Sequence, residues 1–262
     1  MSGPPGEGGV YDHPRWWDLA FADETEGELT FVRRLASERL GVRRPSTYEP
    51  GCGGGRLVVA AAAAGLAVQA CDLNGRCVDH ARGLLRTAGL SADVRVADMR
   101  THVAASPVDV AVCPVNTFRH LLTEDDAAAH LAAVGESVRP GGRYVLGLHL
   151  APPDTDPEDE EEWSAESPDG RVDARLVVTS FSRARRRERL RFTLAVTPAA
   201  GGPFRVAEEF DYRLYTAAEL RRTVEASGRW RIESVHDFWY DLDEPLELDD
   251  GLGDTVLVLE RV

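Results

Sequence analysis

Cysteine is scarce in this chain. Its four residues, Cys52, Cys71, Cys77 and Cys113, form no C-x-x-C pair and have no histidines clustered beside them. That pattern excludes a disulfide framework and a structural zinc site, so no metal is expected. It fits a reduced, cytoplasmic compartment. Long apolar runs are missing too. Nothing approaches the roughly 18 residues of a membrane span, and the run from Leu57 to Leu66 is mostly alanine and reads as a buried helix. The stretch Met1–Gly9 has neither a basic nor an apolar region. It therefore reads as a mobile tail, ending near residue 10, and not as a signal peptide. No internal repeat is visible.

Positive charge is in deficit. The net charge of −14 argues against nucleic-acid binding, which rests on cations neutralising phosphates. The one basic run, Arg183 to Arg189, reads as a solvated hairpin turn. An acidic, proline-rich stretch from Pro152 to Glu162 reads as a solvated loop. A hydrophobic share of 43% with 28% charged residues is that of a globular protein. The length suits one large domain carrying an insertion.

Periodicity supplies the element order. Residues 25–40 repeat apolar side chains at helical spacing, with Thr25 and Glu28 as a capping box and Gly41 as the stop. Short apolar strands then alternate with helices: strands at 47–49, 67–71, 93–97, 108–113 and 143–150, helices at 55–64, 75–88 and 123–138, and a Pro140-Gly141-Gly142 turn. This βαβα order predicts an α/β fold, a Rossmann-like parallel sheet with helices on both faces. From Val172 to Tyr215 the period becomes two, which predicts an inserted antiparallel three-strand meander. A helix at 216–227, capped by Thr216 and Glu219, and strands at 231–239 and 255–259 close the sheet. The expected division is a tail at 1–10, a helical lid at 11–44, a cofactor-binding core at 45–150, a meander at 151–215 and a closing segment at 216–262.

The densest signal is Glu49-Pro50-Gly51-Cys52-Gly53-Gly54-Gly55, with Asp72 about 20 residues after Gly51, at the end of the next strand. Glycines let backbone approach a ligand and adopt positive φ. A strand-end carboxylate at that offset meets a ribose diol in Rossmann-like folds. Dinucleotides need G-x-G-x-x-G, but Arg56 occupies the sixth position.

The E-x-G-x-G-x-G pattern instead resembles motif I of class I S-adenosylmethionine-dependent methyltransferases. Asp72, Asp98-Met99, the strand Val108–Cys113 and the Arg139-Pro140-Gly141-Gly142 segment stand where that family's later motifs stand. The lead-in Tyr11 to Leu19 and the placement of the meander are similar to glycine and nucleotide-sugar N-methyltransferases. The resemblance implies that S-adenosyl-L-methionine is bound, with S-adenosyl-L-homocysteine as product. Gly51 and Gly53 would approach its methionine part, with Glu49 ordering that loop or meeting the amino group; Asp72 would take its ribose, Leu73, Asp98 and Met99 its adenine, and Cys52, Gly55 and Cys113 are further cofactor-binding candidates.

The strand ending Cys113-Pro114-Val115-Asn116 departs from the N/D-P-P-Y of enzymes that methylate nucleobases or glutamine. The expected acceptor is therefore a small molecule of secondary metabolism, methylated at nitrogen or oxygen. Catalytic candidates are His120, whose side chain titrates near neutrality, and Tyr11. Trp16, Trp17, Asn116 and His149 are candidates for acceptor binding. His236 and Trp239 read as core. No membrane partner is expected, and the meander suggests a substrate platform or a homodimer surface. Two other readings stay open: a protein or peptide methyltransferase, and a cofactor-binding protein without transfer activity.

Overall fold

The computed structural model describes residues 7–153 and 160–262. Of the acidic stretch, 154–159 lie outside the described residues, as does most of the expected tail. The element order is α1 (Pro14–Ala20), α2 (Thr25–Leu40), β1 (Ser46–Pro50), α3 (Arg56–Ala63), β2 (Ala67–Asp72), α4 (Gly75–Thr87), β3 (Asp93–Val96), β4 (Val108–Cys113), α5 (Glu124–Ser137) and β5 (Val138–His149). Then come β6 (Glu160–Ser167), β7 (Gly170–Ser182), β8 (Arg187–Pro198), β9 (Phe204–Arg213), α6 (Ala217–Ala226), β10 (Trp230–His236) and β11 (Asp254–Arg261).

Seven strands make the main sheet, in the order β10-β11-β5-β4-β1-β2-β3. Strands β1 to β5 run parallel, and β11 runs antiparallel between β5 and β10. The order reverses between β1 and β4. In such sheets ligands sit at the carboxyl ends of the strands beside that reversal. Apolar side chains fill both faces, one layer around Tyr48, Leu131 and Tyr144, the other around Leu35, Val58 and Val112.

The α/β expectation holds, with local corrections. The inserted sheet has four strands, β6-β7-β8-β9, not three. The fourth is β6, read from sequence as part of a solvated loop. Its charges obscured it: Glu160 and Glu162 pair outward with Arg175 while Trp163 turns inward to donate its indole N–H to the Ala20 carbonyl at 2.8 Å. Charged side chains are how edge strands avoid pairing with other chains. Pro140-Gly141-Gly142 is a bulge inside β5 rather than a turn before it. Val108 pairs with Val138 and Val110 with Arg143, and Gly141 takes φ +73°.

Thr25 and Glu28 do not cap their helix. Both face Arg56, which donates to Thr25 Oγ1 at 3.0 Å and to both Glu28 carboxylate oxygens at 2.6 and 2.7 Å. Thr216 and Glu219 do form a reciprocal capping box. The expected tail ends early. Val10 is fully buried against the small sheet and its amide donates to Glu208. All four cysteines are free and buried. Every basic residue in the chain is arginine, and there is no lysine. Among the described residues, no helix is long and apolar enough to cross a membrane.

The tightest backbone approach is at Gly147 in β5. A Cβ there would collide with the Pro114 carbonyl oxygen. Gly147→Ala should lower stability by about 3 kcal/mol, the upper end for overpacking, while Gly202→Ala, in open space, should be near neutral. Urea unfolding of both variants checks this.

Candidate active site

One cavity of about 1660 Å³ opens where the carboxyl ends of the main sheet meet the small sheet and the N-terminal arm. A single small-molecule site takes roughly 300–1,000 Å³, so this one has room for two ligands.

Its first half is the turn after β1. Gly51, Gly53 and Gly55 all have positive φ, +73°, +55° and +94°. A Cβ at Gly51 would strike Thr117, and one at Gly55 would meet Ala81 at 2.6 Å. The turn hangs from β2, since the amides of Gly51 and Cys52 both donate to the Cys71 carbonyl at 2.7 and 3.0 Å. Asp72 then ties the turn to the next one: Oδ2 accepts from the Gly53 amide and Oδ1 from the Asn74 amide, each at 2.8 Å. Burial pushes the Asp72 carboxyl up, and those two amides oppose the shift.

Carboxylates crowd this end. Burial holds Glu49 well above its usual range, with Arg56 opposing. Asp18, from α1, is raised by burial to about 7 and is held by the Gly54 and Arg56 amides at the start of α3. Its Oδ2 is buried without a hydrogen-bond partner. Glu24, on the same wall, is 41% exposed and pairs with Arg56 at 3.6 Å; desolvation raises its carboxyl and Arg56 opposes the rise. Arg56 is the cation among them, and Glu28 already engages it. Sequence reading missed Asp18. It belongs to a helix distant in sequence from the glycine turn, and only the fold joins them.

Leu73, Asp98 and Met99 line the same half. Leu73 is 73% exposed. The Asp98 carboxylate is engaged by Arg100 at 2.6 Å, which lowers its pKa. Two expected contacts are corrected. Cys113 is fully buried in the core and lies off the cavity wall, and Gly55 packs on α4 instead of lining the cavity.

Aromatic side chains build the other half. Trp17 lies 4.6 Å from Tyr11, 4.9 Å from Phe21 and 4.9 Å from Phe192 between ring centroids. Trp163 and Tyr212 complete the wall. Trp16 is not part of it: it is buried on the far side, edge-on to Phe204. Tyr11 and His120 meet, Oη to Nε2 at 3.0 Å. Burial, then Arg119, pushes His120 down to about 4. It is therefore neutral at physiological pH, and the expectation of a base titrating near neutrality is corrected. Burial also keeps the Tyr11 phenol protonated.

The floor is a hydrogen-bonded chain. Asn116, with φ +52°, accepts from the His149 amide at 3.0 Å and contacts His149 Nδ1 through Nδ2 at 2.6 Å. His149 Nε2 lies 3.3 Å from Asp254. Arg119, buried, donates to Glu188 at 2.5 Å, to the Arg213 carbonyl at 3.0 Å and to Asn116 at 3.4 Å. Beneath Met99, His130 donates from Nδ1 to the Met99 carbonyl and accepts from the Tyr144 hydroxyl at Nε2.

This architecture is a Rossmann-like fold. Residues 48–142 match the family model described as "Methyltransferase domain". A ubiquinone biosynthesis O-methyltransferase from Aromatoleum aromaticum is 31% identical over 135 residues, which cover 50% of this chain and 56% of the relative. The match thus spans little more than half of that relative's length. Among solved structures, a S-adenosylmethionine-dependent methyltransferase from Clostridium acetobutylicum superposes with a TM-score of 0.76 at 14% identity, covering 94% of this chain and 96% of that one. An amino pentose methyltransferase from Micromonospora echinaspora, solved with S-adenosylmethionine bound, gives 0.66 at 20% identity, covering 95% and 94%.

Two predictions follow from the buried groups. Glu188→Ala leaves Arg119 buried without its counter-ion and should cost about 3–5 kcal/mol, with Glu188→Gln milder; denaturant unfolding reads both. His130 has a folded pKa pushed by burial to about 4, below its unfolded value near 6.5. The unfolded chain therefore takes the proton first as pH falls. Stability is full above about 6.5 and is lost towards 4, by about 2 kcal/mol at pH 5. His130→Gln should flatten that decline in urea titrations between pH 7 and 5.

Proposed function

We propose that the protein transfers a methyl group from S-adenosyl-L-methionine to a small molecule, with nitrogen favoured over oxygen as the acceptor atom. The observation that carries this reading is the division of one cavity into a glycine-and-carboxylate half and an aromatic half. The first half fits the cofactor on its own chemistry. The glycine turn leaves the backbone at Gly53 open to a ligand, with Trp17 at van der Waals distance, while Thr117 packs on Gly51. The orphaned Asp18 oxygen and the Glu49 carboxylate offer negative charge to a ligand carrying an ammonium and a sulfonium. Asp72, a strand-end carboxylate on the cavity wall, would meet a ribose diol.

Bound there, the cofactor supplies the electrophilic methyl carbon. The chain's own part is to hold, align and exclude water. Trp17 and Tyr11 roof the space beside the glycine turn. Tyr11 and the neutral His120 present a hydrogen-bonding pair to an acceptor. A neutral imidazole of low basicity is a poor proton acceptor, which favours an amine nucleophile that arrives uncharged over an alcohol that must be deprotonated. A pocket walled by Trp17, Phe21, Trp163 and Phe192 favours a small acceptor over a peptide chain. The amino pentose methyltransferase and the ubiquinone O-methyltransferase support this reading as a class while differing in the acceptor atom.

Calorimetric titration with S-adenosyl-L-homocysteine tests it, with NAD in parallel. Micromolar binding of the former alone is expected, and Asp72→Ala should weaken it by about 1–3 kcal/mol. Binding of NAD alone, or of neither, would sink the proposal. Binding without label transfer to any amine or hydroxyl metabolite would leave a cofactor-binding protein without transfer activity.

A further inference from the structure

Residues 237–253 join β10 to β11 without regular structure, and loops of that length in a compact domain are usually functional. The loop begins with a pinned turn. His236 donates from Nδ1 to the Asp241 carbonyl at 2.8 Å and accepts from Ser234 at Nε2. The Tyr240 hydroxyl donates to the Pro114 carbonyl at 3.2 Å, and Tyr240 takes φ +55°. Phe238 packs edge-on against His149, centroids 5.0 Å apart. Between these two anchored rings, Trp239 is 88% exposed, yet it lies on the cavity wall. Leaving an indole in water forgoes a large apolar burial, and here the turn enforces that exposure. The expectation that Trp239 is core is therefore wrong.

The neighbourhood is acidic. Glu24, next in sequence to Asp23, keeps a long ion pair with Arg56 at 3.6 Å. Asp23, Glu24 and Asp254 share the wall with Trp239. Around the whole cavity, carboxylates outnumber the arginines Arg56, Arg100, Arg119 and Arg183 among the described residues.

We propose that Trp239 is a specificity-determining residue, an aromatic platform at the cavity rim that receives the cationic head of an organic ammonium acceptor, with Glu24 as its counter-charge. The proposal rests on the reading of the cavity as a methyl-transfer site and adds the class of acceptor. An indole face is the strongest aromatic partner for an ammonium. The rim then gathers the protonated amine before it sheds its proton to solvent and moves inward.

The test is iodide quenching of tryptophan fluorescence at pH 8, where Glu24 is ionised. Trp16 and Trp230 are buried and Trp17 and Trp163 are only partly exposed, so Trp239, at 88% exposure, is the most accessible indole, and Trp239→Phe should remove the largest single share of the quenchable signal. The probes are choline and its uncharged carbon isostere 3,3-dimethylbutan-1-ol, each at millimolar concentration with saturating S-adenosyl-L-homocysteine. Choline should protect and the alcohol should not, and Glu24→Gln should weaken choline about two- to fivefold. Equal protection by the alcohol, no protection by choline, or unchanged quenching in Trp239→Phe would overturn the proposal. Failure of choline with S-adenosyl-L-homocysteine still bound removes the rim site alone. Choline protection without that ligand binding upholds the rim site and removes the cofactor reading.

Discussion

The cavity exists only where two sheets meet, and the guanidinium of Arg119 is the polar joint between them. It leaves the loop after β4, pairs with Glu188 of β8, donates to the Arg213 carbonyl at the end of β9 and lies 4.9 Å over the Tyr212 ring. Its remaining reach goes back to Asn116. Together with Arg186 and Arg213, which both reach Glu124 of α5, this side chain fixes the small sheet against the Rossmann-like core and holds the floor residue between them. The geometry of His120, its neighbour in sequence, depends on the same joint. Removing water from a charge is expensive unless its hydrogen bonds are met, so arrangements that leave Arg119 unpaired are disfavoured. A buried ion pair of this kind specifies how the parts meet more than it adds to net stability.

Charge is arranged in the opposite sense at the glycine turn. There Glu28 satisfies Arg56, Glu24 reaches it at 3.6 Å, and Asp18 and Glu49 remain as surplus carboxyls whose pKa values burial has raised. Such a cluster is electrostatically unfinished. A cationic ligand completes it and in doing so draws the carboxyls towards their ionised forms.

Much of this was legible in the sequence wherever local chemistry forces the outcome. Gly51 and Gly53 need positive φ, Asp72 ends a strand, and Thr216 with Glu219 caps a helix; each announces itself within a few residues. The misreadings share another origin. Glu28 was assigned to its own helix because a cap is local, whereas Arg56 claims it from a different element. The strand at 160–167 was hidden because an edge strand carries charges that resemble a loop. Trp239 was taken for core because an exposed indole is rare. Asp18 and Arg119 carried no local pattern at all, since their roles arise only where distant segments meet. His120 was found by position, but its basicity was set by burial that the sequence does not display.

The outer face of the small sheet is a ladder of paired guanidinium and carboxylate groups: Arg171 with Asp173, Arg175 with Glu160, Arg189 with Asp211, and Arg191 with Glu209. Elsewhere too, arginine stands wherever a lysine is usual. The planar fork suits two-point pairing with carboxylates, and it has a chemical corollary. Guanidinium groups stay protonated and are not nucleophilic near neutrality. The chain offers no side-chain amine of its own, so no lysine would compete with an amine acceptor for an activated methyl group. The same surface is silent to lysine-directed acylating labels and crosslinkers, and mapping its contacts calls for carboxyl- or arginine-directed reagents.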